Sequence, residues 1–299
     1  MTGTSNPAGA GWFDGLDPGD VEAAVGAVTD GEADEPDEWP RLAVEAGYVD
    51  SADEYYDRLH EATMEAARRE IHERERADDK QLIHAVRAMD DCERTANELA
   101  ERVAEWAGTR YEDAGTGVDY ARDLAAERGD TEASDPGEAR LVALAERTAA
   151  LADEADELRA YVEETTPSVA PNLAAMAGPV LAARLISLTG GLDTLARKPS
   201  STVQVLGAED ALFAHLRGAA PSPKHGIIFT HEYVRGTHPD QRGSAARALA
   251  GKLTIAARVD HYSGERKPEL DAELDERIAT IRGNADGADD GSDRGGDGS

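Results

Sequence analysis

The sequence predicts an all-α fold: an antiparallel helical coiled-coil hairpin followed by a second helical domain, with a short N-terminal segment and a disordered acidic tail. Two long stretches carry apolar residues at alternating steps of three and four, the pattern of a coiled-coil seam. Aromatic residues make up only 5% of the 299 residues. Alanine, leucine, glutamate and arginine are plentiful, and these residues favour helix over strand.

The N-terminal region, residues 1–77, has the weakest pattern. Residues 1–38 are rich in Gly, Asp, Glu and Pro, so they are expected to be mostly irregular around one apolar island at 12–16. A short helix is predicted near 21–28. A longer, charged helix is predicted over 53–76.

Residues 78–166 carry the two seams of the predicted hairpin. The first seam is Leu82, Val86, Met89, Ala96, Leu99, Val103 and Trp106, and the second is Leu141, Leu144, Thr148, Leu151, Ala155, Leu158 and Val162. A short helical piece is predicted between them, over 118–128. Pro167 and Pro171 are expected to end the hairpin. The same spacing would also fit an ordinary helix pair within a bundle.

Residues 167–264 are the least acidic and most apolar part of the chain. Their apolar spacing predicts helices over 173–188, 192–196, 203–216 and 244–259. The chain becomes charged again over 265–299, which is interpreted as an acidic, largely disordered tail. Its final stretch, GNADGADDGSDRGGDGS, cannot bury enough apolar surface to fold and is expected to be disordered.

Charge is distributed unevenly along this acidic chain. The formal net charge is −30, with 61 Asp and Glu against 31 Lys and Arg. Residues 171–264 hold 10 basic and 6 acidic residues, a net of +4, so the rest of the chain has a net charge of −34. A low lysine content together with many carboxylates is typical of a halophilic protein. In such a protein the high net charge maintains solubility, and salt screens the repulsion between like charges. The positive region predicts an anionic partner.

Several classes of function are not supported by the sequence. No run of about 18 apolar residues and no secretory signal is present, so a cytoplasmic protein without a membrane segment is expected. The single cysteine, Cys92, lies in a predicted seam and is interpreted as a small core residue. No Walker loop, GxSxG or HExxH motif occurs. We therefore expect no catalytic residue, no metal and no cofactor.

The segment from 199 to 258 contains the candidate binding residues. Lys224, His225 and His231 lie in a proline-bounded loop, and such residues suit phosphate contact and stacking on unpaired bases. Arg242 and Arg247 lie on the predicted helix that follows. A plain polar loop and a solvated charged face remain the alternatives.

These residues resemble the Nop domain of the archaeal core protein of box C/D guide-RNA particles and its nucleolar and spliceosomal relatives. The resemblance is carried by APNLAAMAGPVLAARLISLTGGLDTLARKPSSTVQVLGAEDALFAHLRG, PKHGIIFTH and RGSAARALAGKLTIAARVD. It continues upstream in DDKQLIHAVRAMDDCERTANELAERVAEWAG, which resembles the family's first coiled-coil helix. Together these segments cover roughly residues 78–264.

The resemblance implies a set of RNA-facing positions. The family's GAEK motif falls on Gly207, Ala208, Glu209 and Asp210, so its lysine is replaced here by aspartate. The family's glutamine and arginines fall on Gln204, Arg217 and Arg247. The resulting RNA-binding set is Gln204, Gly207, Ala208, Glu209, Arg217, Lys224, His225, His231, Arg242 and Arg247.

The resemblance also implies partners and a function. A box C/D guide RNA, a small kink-turn-binding partner resembling a ribosomal protein, and the methyltransferase fibrillarin are expected, with homodimerisation through the coiled coil. The chain would scaffold 2′-O-methylation of ribosomal or transfer RNA while fibrillarin holds S-adenosylmethionine. Residues 1–77 are shorter than the family's N-terminal domain, so any fibrillarin contact would be reduced to residues near 12–16 and 39–56. The alternatives are a coiled-coil interaction protein without RNA function and a spliceosomal-type Nop protein.

Overall fold

A computed structural model describes residues 11–31, 37–75, 77–129 and 133–289. Within these ranges every regular element is helical, which confirms the all-α prediction. The chain divides into two compact units, residues 1–77 and 78–299.

The first unit is a three-helix cluster around aromatic side chains. Its helices are α1 (Val21–Asp30), α2 (Trp39–Glu45) and α3 (Ala52–Glu75). The buried residues of the aromatic cluster are Phe13, Ala43, Tyr48, Val49 and Tyr55. The Trp12 indole donates to the Tyr55 hydroxyl at 3.0 Å, so the apolar island at 12–16 is part of a core. Phe13 is 3% exposed, and this burial leaves its ring unavailable to a partner.

The second unit begins with three long or medium helices. They are α4 (Asp78–Ala107), α5 (Gly117–Arg128) and α6 (Pro136–Val169). Asp135 caps α6, since its carboxylate accepts from the Gly137 and Glu138 backbone N–H groups. Helix α4 runs antiparallel to α6: Glu93 faces Arg159, whereas Val103 packs in one cluster with Leu141.

Helix α5 packs against both α4 and α6, so the distal end of the predicted hairpin is a three-helix cluster. Ala121 and Leu124 of α5 are buried there, in one apolar cluster with Val103 of α4 and Leu141 of α6. Coiled-coil geometry itself stays a prediction. Pro167 lies inside the last turn of α6 and does not end the helix, which continues to Val169.

The remaining helices, with one exception, contribute to one continuous core. They are α7 (Pro171–Ala177), α8 (Pro179–Thr189), α9 (Leu192–Arg197), α10 (Ser200–Val205), α11 (Glu209–Leu216), α12 (Glu232–Arg235), α13 (Arg242–Tyr262) and α14 (Glu269–Asp289). The exception is α11, and within the core α13 contacts α7, α9, α10, α12 and α14. A short 3₁₀ helix, Ile227–Thr230, precedes α12. The core extends from Leu82 in α4 to Ile281 in α14. The predicted boundaries at 166/167 and 264/265 therefore cut through one shared core.

The predicted disordered tail is wrong over 269–289, which form α14. Its buried residues are Leu270, Leu274, Ile278 and Ile281. They recur every three or four residues, so they share one face of the helix, and that face packs against α13. The helix continues into the glycine-rich stretch that begins at 283. Residues 290–299 lie outside the described part of the chain.

Candidate nucleic-acid interface

An open cleft of about 450 Å³ lies between α10, the loop before the 3₁₀ helix, and the start of α13. Its polar lining includes Ser201, Gln204, Ser222, Lys224, Ser244 and Arg247. These residues come from three separate segments, which the fold brings together. The cleft thus offers two cationic groups, one amide and three hydroxyls to a ligand.

Backbone pairing positions the loop that carries Lys224. The Gly226 N–H donates to the Gln204 carbonyl at 2.8 Å, and the Ile227 N–H donates to the Leu206 carbonyl at 2.7 Å. The Gln204 side-chain amide donates to the Lys224 carbonyl at 2.6 Å. A Cβ atom at position 226 would lie 1.9 Å from the Leu206 oxygen, so only glycine permits this close approach.

The two cations of the cleft are free to meet an anion. Lys224 and Arg247 are exposed, and neither side chain makes a hydrogen bond or ion pair with the described part of the chain. Elsewhere, arginines such as Arg122 face carboxylates at hydrogen-bond distance. Asp240 is the carboxylate that lines the cleft, and its Oδ2 atom lies 3.8 Å from His238 Nδ1. The cleft lining therefore keeps a positive balance, with two cations against one carboxylate.

Two predicted site residues, His225 and Arg242, pack against the ring of Phe229 beside the cleft. The His225 ring stacks on Phe229, with centroids 4.5 Å apart and an interplanar angle of 18°. The Arg242 guanidinium lies 5.4 Å from the Phe229 centroid and also donates to the Thr237 carbonyl at 3.1 Å. Burial and nearby Arg242 lower the pKa of His225, which favours a neutral ring suited to stacking. Arg242 is thus held mainly within the protein.

His231 has a structural role instead of the predicted RNA-facing one. Its Nε2 atom lies 3.1 Å from the Met176 carbonyl, and its Nδ1 accepts from the Tyr233 backbone N–H at 3.1 Å. With Nδ1 as acceptor, Nε2 carries the proton and donates to Met176. Both ring nitrogens are therefore used inside the domain, where His231 caps α12.

Acidification is expected to destabilise the domain through His231. Burial lowers the pKa of this histidine below its ordinary value of 6.5. The unfolded chain therefore binds the proton first, so the free energy of unfolding falls as the pH drops below 6.5. Chemical denaturation about one unit above and below that value measures the effect.

The variant His231→Gln should show a smaller loss of stability on acidification than the wild type. Exposed His261→Gln serves as the control and should keep the wild-type dependence. An unchanged pH dependence in His231→Gln would contradict the assignment. His225 shifts in the same direction, so part of the dependence is expected to remain.

The predicted GAEK-like residues are not among those that line the cleft. Gly207 has a φ of +79°, and its N–H donates to Glu209 Oε1 at 2.9 Å. Arg217 Nε donates to the Phe213 carbonyl at 3.2 Å at the end of α11. Helix α11 has no buried residue. Gly207, Glu209 and Arg217 are exposed, and Ala208 is half-buried.

Sequence reasoning missed the three serine hydroxyls and Phe229. Ser201, Ser222 and Ser244 come from α10, the proline loop and α13, and no sequence signal connects them. Phe229 appears in the sequence only as the end of a short apolar run. It could have been noted as an aromatic ring four residues from His225.

The described residues support neither a metal site nor a single membrane-spanning helix. No group of three or more His, Cys, Asp or Glu side chains there is placed to hold a metal ion. No single helix is long and apolar enough to cross a membrane, although α7 and α8, bent by 119°, meet the length and composition criteria as a pair.

Comparisons with known proteins identify relatives over most of the chain. The model of the Nop family, described as "snoRNA binding domain, fibrillarin", matches residues 78–281. An uncharacterized NOP5 family protein of Methanocaldococcus jannaschii is 35% identical over 275 residues, covering 81% of this chain and 66% of that protein. Nucleolar protein 56 of Saccharomyces cerevisiae is 31% identical over 225 residues, covering 62% of this chain and 45% of that protein. The chain thus spans about half to two thirds of the length of these relatives.

A solved structure shares the fold. One chain of a crystal structure of a fibrillarin/Nop5p complex matches with a TM-score of 0.50 and 24% sequence identity. The match covers 91% of this chain and 98% of that chain. The family match also ends at residue 281, inside α14, and so includes much of the segment that the sequence had suggested was a tail.

Proposed function

This chain belongs to the Nop family, and on that premise we propose that it is the RNA-binding scaffold of a box C/D ribonucleoprotein. It positions fibrillarin and the guide RNA for 2′-O-methylation of ribosomal or transfer RNA. It catalyses nothing itself, because the methyl donor is held by fibrillarin. The acidic, lysine-poor composition supports a halophilic archaeal source and a cytoplasmic particle.

The cleft with its two unpaired cations is the observation that carries this proposal. Lys224 and Arg247 meet there within a region of net charge +4, in a chain whose remaining residues have a net charge of −34. A cationic cleft that also presents hydroxyls and an amide suits a phosphodiester backbone with nearby sugar or base groups.

Different members of the predicted set contribute differently. Lys224 and Arg247 contact phosphate, and Gln204 presents its amide oxygen to RNA because its nitrogen is engaged by the Lys224 carbonyl. His225 presents a ring for base stacking, whereas Arg242 and His231 hold the surrounding loop in place. Gly207, Ala208, Glu209 and Arg217 lie in or beside the exposed helix α11, where RNA and the kink-turn-binding partner meet the scaffold.

Fibrillarin binds the first unit through α3. The aromatic side chains near 12–16 are packed in the core, but Tyr56, Met64 and Ile71 of α3 are 59%, 43% and 61% exposed. Their spacing of eight and seven residues places them along one side of the helix. This exposed apolar stripe supports a protein contact on α3.

A homodimer forms through α6, and Leu151→Asp is expected to yield monomers. Leu151 is half buried and is not part of the apolar clusters formed by the described residues, so it is available to a second copy. Light scattering gives the molar mass. Ala160→Asp adds the same charge on the opposite side of α6, nine residues or about 180° away, and should leave the dimer intact. A dimer that persists in Leu151→Asp would contradict this interface.

A gel-shift series in molar KCl tests the proposed function. It combines a box C/D guide RNA, the kink-turn-binding partner and the full chain, with and without fibrillarin. We expect a shift that requires the partner and a further shift with fibrillarin. A shift with the partner but no further shift with fibrillarin would support the RNA-binding role and contradict the proposed fibrillarin contact.

The second candidate is a coiled-coil interaction protein, and one observation favours it. Asp210 replaces the family lysine and is exposed beside Glu209 on α11, which places negative charge where the family has positive charge. No shift under any condition would support this candidate and contradict the scaffold.

A further inference from the structure

Helix α13 presents a continuous exposed stripe that begins at the cleft and runs to the end of the helix. At 100° per residue, its members lie within an arc of about 80°. The stripe consists of Ser244, Arg247, Gly251, Ile255, Arg258 and Tyr262. From Arg247 to Tyr262 it extends about 22 Å at 1.5 Å per residue. Gly251 is half-buried, and the other members are exposed.

The helix carrying this stripe is basic in an acidic protein. Its cations are Arg242, Arg247, Lys252 and Arg258, and its single carboxylate is Asp260. Asp260 is buried and accepts three N–H donors from Asn172 and Leu173, so it does not face the stripe. The stripe therefore combines two cations with no acidic member, and this charge favours a polyanion as its occupant.

Carboxylates near the stripe in sequence or space have cations of their own. Asp193 lies 2.6 Å from the Arg197 guanidinium. Glu265 lies 3.4 Å from Lys267 Nζ. Because both carboxylates pair with other cations, the charge of Arg258 remains available to a ligand.

Arg258 is held in a defined position. Its Nε atom donates to the Ala196 carbonyl at 3.0 Å. The two terminal nitrogens have no hydrogen bond to the described part of the chain, so they can donate to a phosphate as a pair. This bond also fixes the guanidinium at low entropic cost.

Gly251 makes close approach possible at the middle of the stripe. A Cβ atom there would meet nothing within 4 Å, so no packing requirement within the described chain explains the glycine. Glycine is among the least favourable residues in a helix interior. It does, however, let another backbone lie against the helix.

The far end of the stripe offers an aromatic ring. Tyr262 is 73% exposed, and Ile255, two turns earlier, is 40% exposed. The His261 ring lies against Tyr262 with centroids 4.6 Å apart at 63°. An exposed tyrosine ring at the end of a cationic surface suits the stacking of an unpaired base.

We propose that this stripe is a second RNA contact, along which the phosphodiester backbone runs from the cleft past Gly251 and Arg258 to Tyr262. The proposal rests on the proposed function, because it extends the path of the same RNA. The cleft binds the box C/D motif, and the stripe binds the segment of guide RNA that continues from it. An unpaired base of that segment stacks on Tyr262.

Binding of two RNAs to the full chain and its kink-turn-binding partner tests the proposal. One RNA is a minimal box C/D motif, and the other is the same motif with its guide segment. The variants are Gly251→Gln, Arg258→Gln and Tyr262→Ala. Each should weaken binding of the longer RNA by about five- to tenfold and leave the minimal motif within about twofold. Arg258→Gln should also reduce the slope of log K against log salt by about one.

Controls separate lost contacts from lost folding. Arg258→Lys keeps the charge and should recover most of the affinity. Arg102→Gln removes an equal charge from α4, where Arg102 pairs with Glu105, and should leave both RNAs unaffected. Gly251→Ala should raise the unfolding temperature, so a weaker affinity for the longer RNA in that variant cannot be ascribed to unfolding.

Photo-crosslinking identifies the occupant directly. A benzophenone amino acid replacing Tyr262 should crosslink to the guide segment of the longer RNA. Crosslinks to a second copy of the chain or to the partner protein would overturn the proposal. Unchanged binding of the longer RNA in all three variants would also overturn it. The scaffold function would stand in that case if Arg247→Glu still weakened binding of both RNAs. Failure of the wild-type chain to bind either RNA would contradict both.

Discussion

Replacing Arg247 with glutamate is expected to weaken guide-RNA binding by roughly 100-fold, about 2.7 kcal/mol. Arg247 is exposed in the cleft without a hydrogen bond or ion pair to the described residues, so its charge is available to phosphate. The substitution removes one attractive contact and places a carboxylate beside Asp240, which adds repulsion. Arg247→Ala removes only the contact and should weaken guide-RNA binding by about tenfold.

Filter binding or gel shift at two salt concentrations measures this effect. The charge reversal should matter less in molar salt, because screening shortens the range of the interaction. Arg102→Glu on α4 makes the same charge change far along the chain from the cleft and should keep the wild-type affinity. An affinity of Arg247→Glu within twofold of the wild type would exclude the cleft as an RNA site.

Replacing Asp260 with alanine is expected to lower the free energy of unfolding by about 3 kcal/mol or more. The buried carboxylate accepts from the Asn172 and Leu173 backbone N–H groups at 2.9 Å and from the Asn172 side chain at 2.6 Å. It thereby caps α7 from the end of α13. Asn172 in turn accepts from the Lys267 N–H at 2.7 Å, which ties the start of the α14 segment to the same point.

Urea denaturation followed by circular dichroism measures the loss. The substitution leaves three buried N–H donors without an acceptor. The loss in free energy of unfolding therefore exceeds that of removing an exposed hydrogen bond. Glu276→Ala on the exposed face of α14 is the control and should change stability by no more than about 0.5 kcal/mol. A similarly small change in Asp260→Ala would show that the network does not stabilise the domain.

Helix content and family were accessible from the sequence because both depend on local patterns. The three-and-four spacing of seam residues such as Leu82 and Val86 predicted α4, and the match over 78–281 confirms the resemblance to the Nop family. Helix α14 was missed although Leu270, Leu274 and Ile278 repeat with helical spacing. Its acidic composition suggested a tail, but packing against α13 outweighs composition once an apolar face finds a partner.

Neighbouring residues of the candidate site differ in ways that the sequence does not reveal. Lys224 and His231 lie seven residues apart in one loop and appeared equally suited to RNA. The structure exposes Lys224 at the cleft but turns His231 inward, where the Met176 carbonyl and the Tyr233 N–H occupy both ring nitrogens. One of these two contacts, from the Met176 carbonyl, comes from a helix 55 residues away in the sequence.

By itself the sequence determined the helical class, the basic region between 171 and 264, and the family, since these follow from spacing, charge and motif order. Tertiary structure alone decided which side chains share a surface. It placed Ser201, Lys224 and Arg247 around one cleft and left Arg258 and Tyr262 exposed on α13. It also directed Asp260 into the core. The reason is that burial and hydrogen-bond partners depend on segments distant in sequence, and these decide whether a charge holds the fold together or remains free for a ligand.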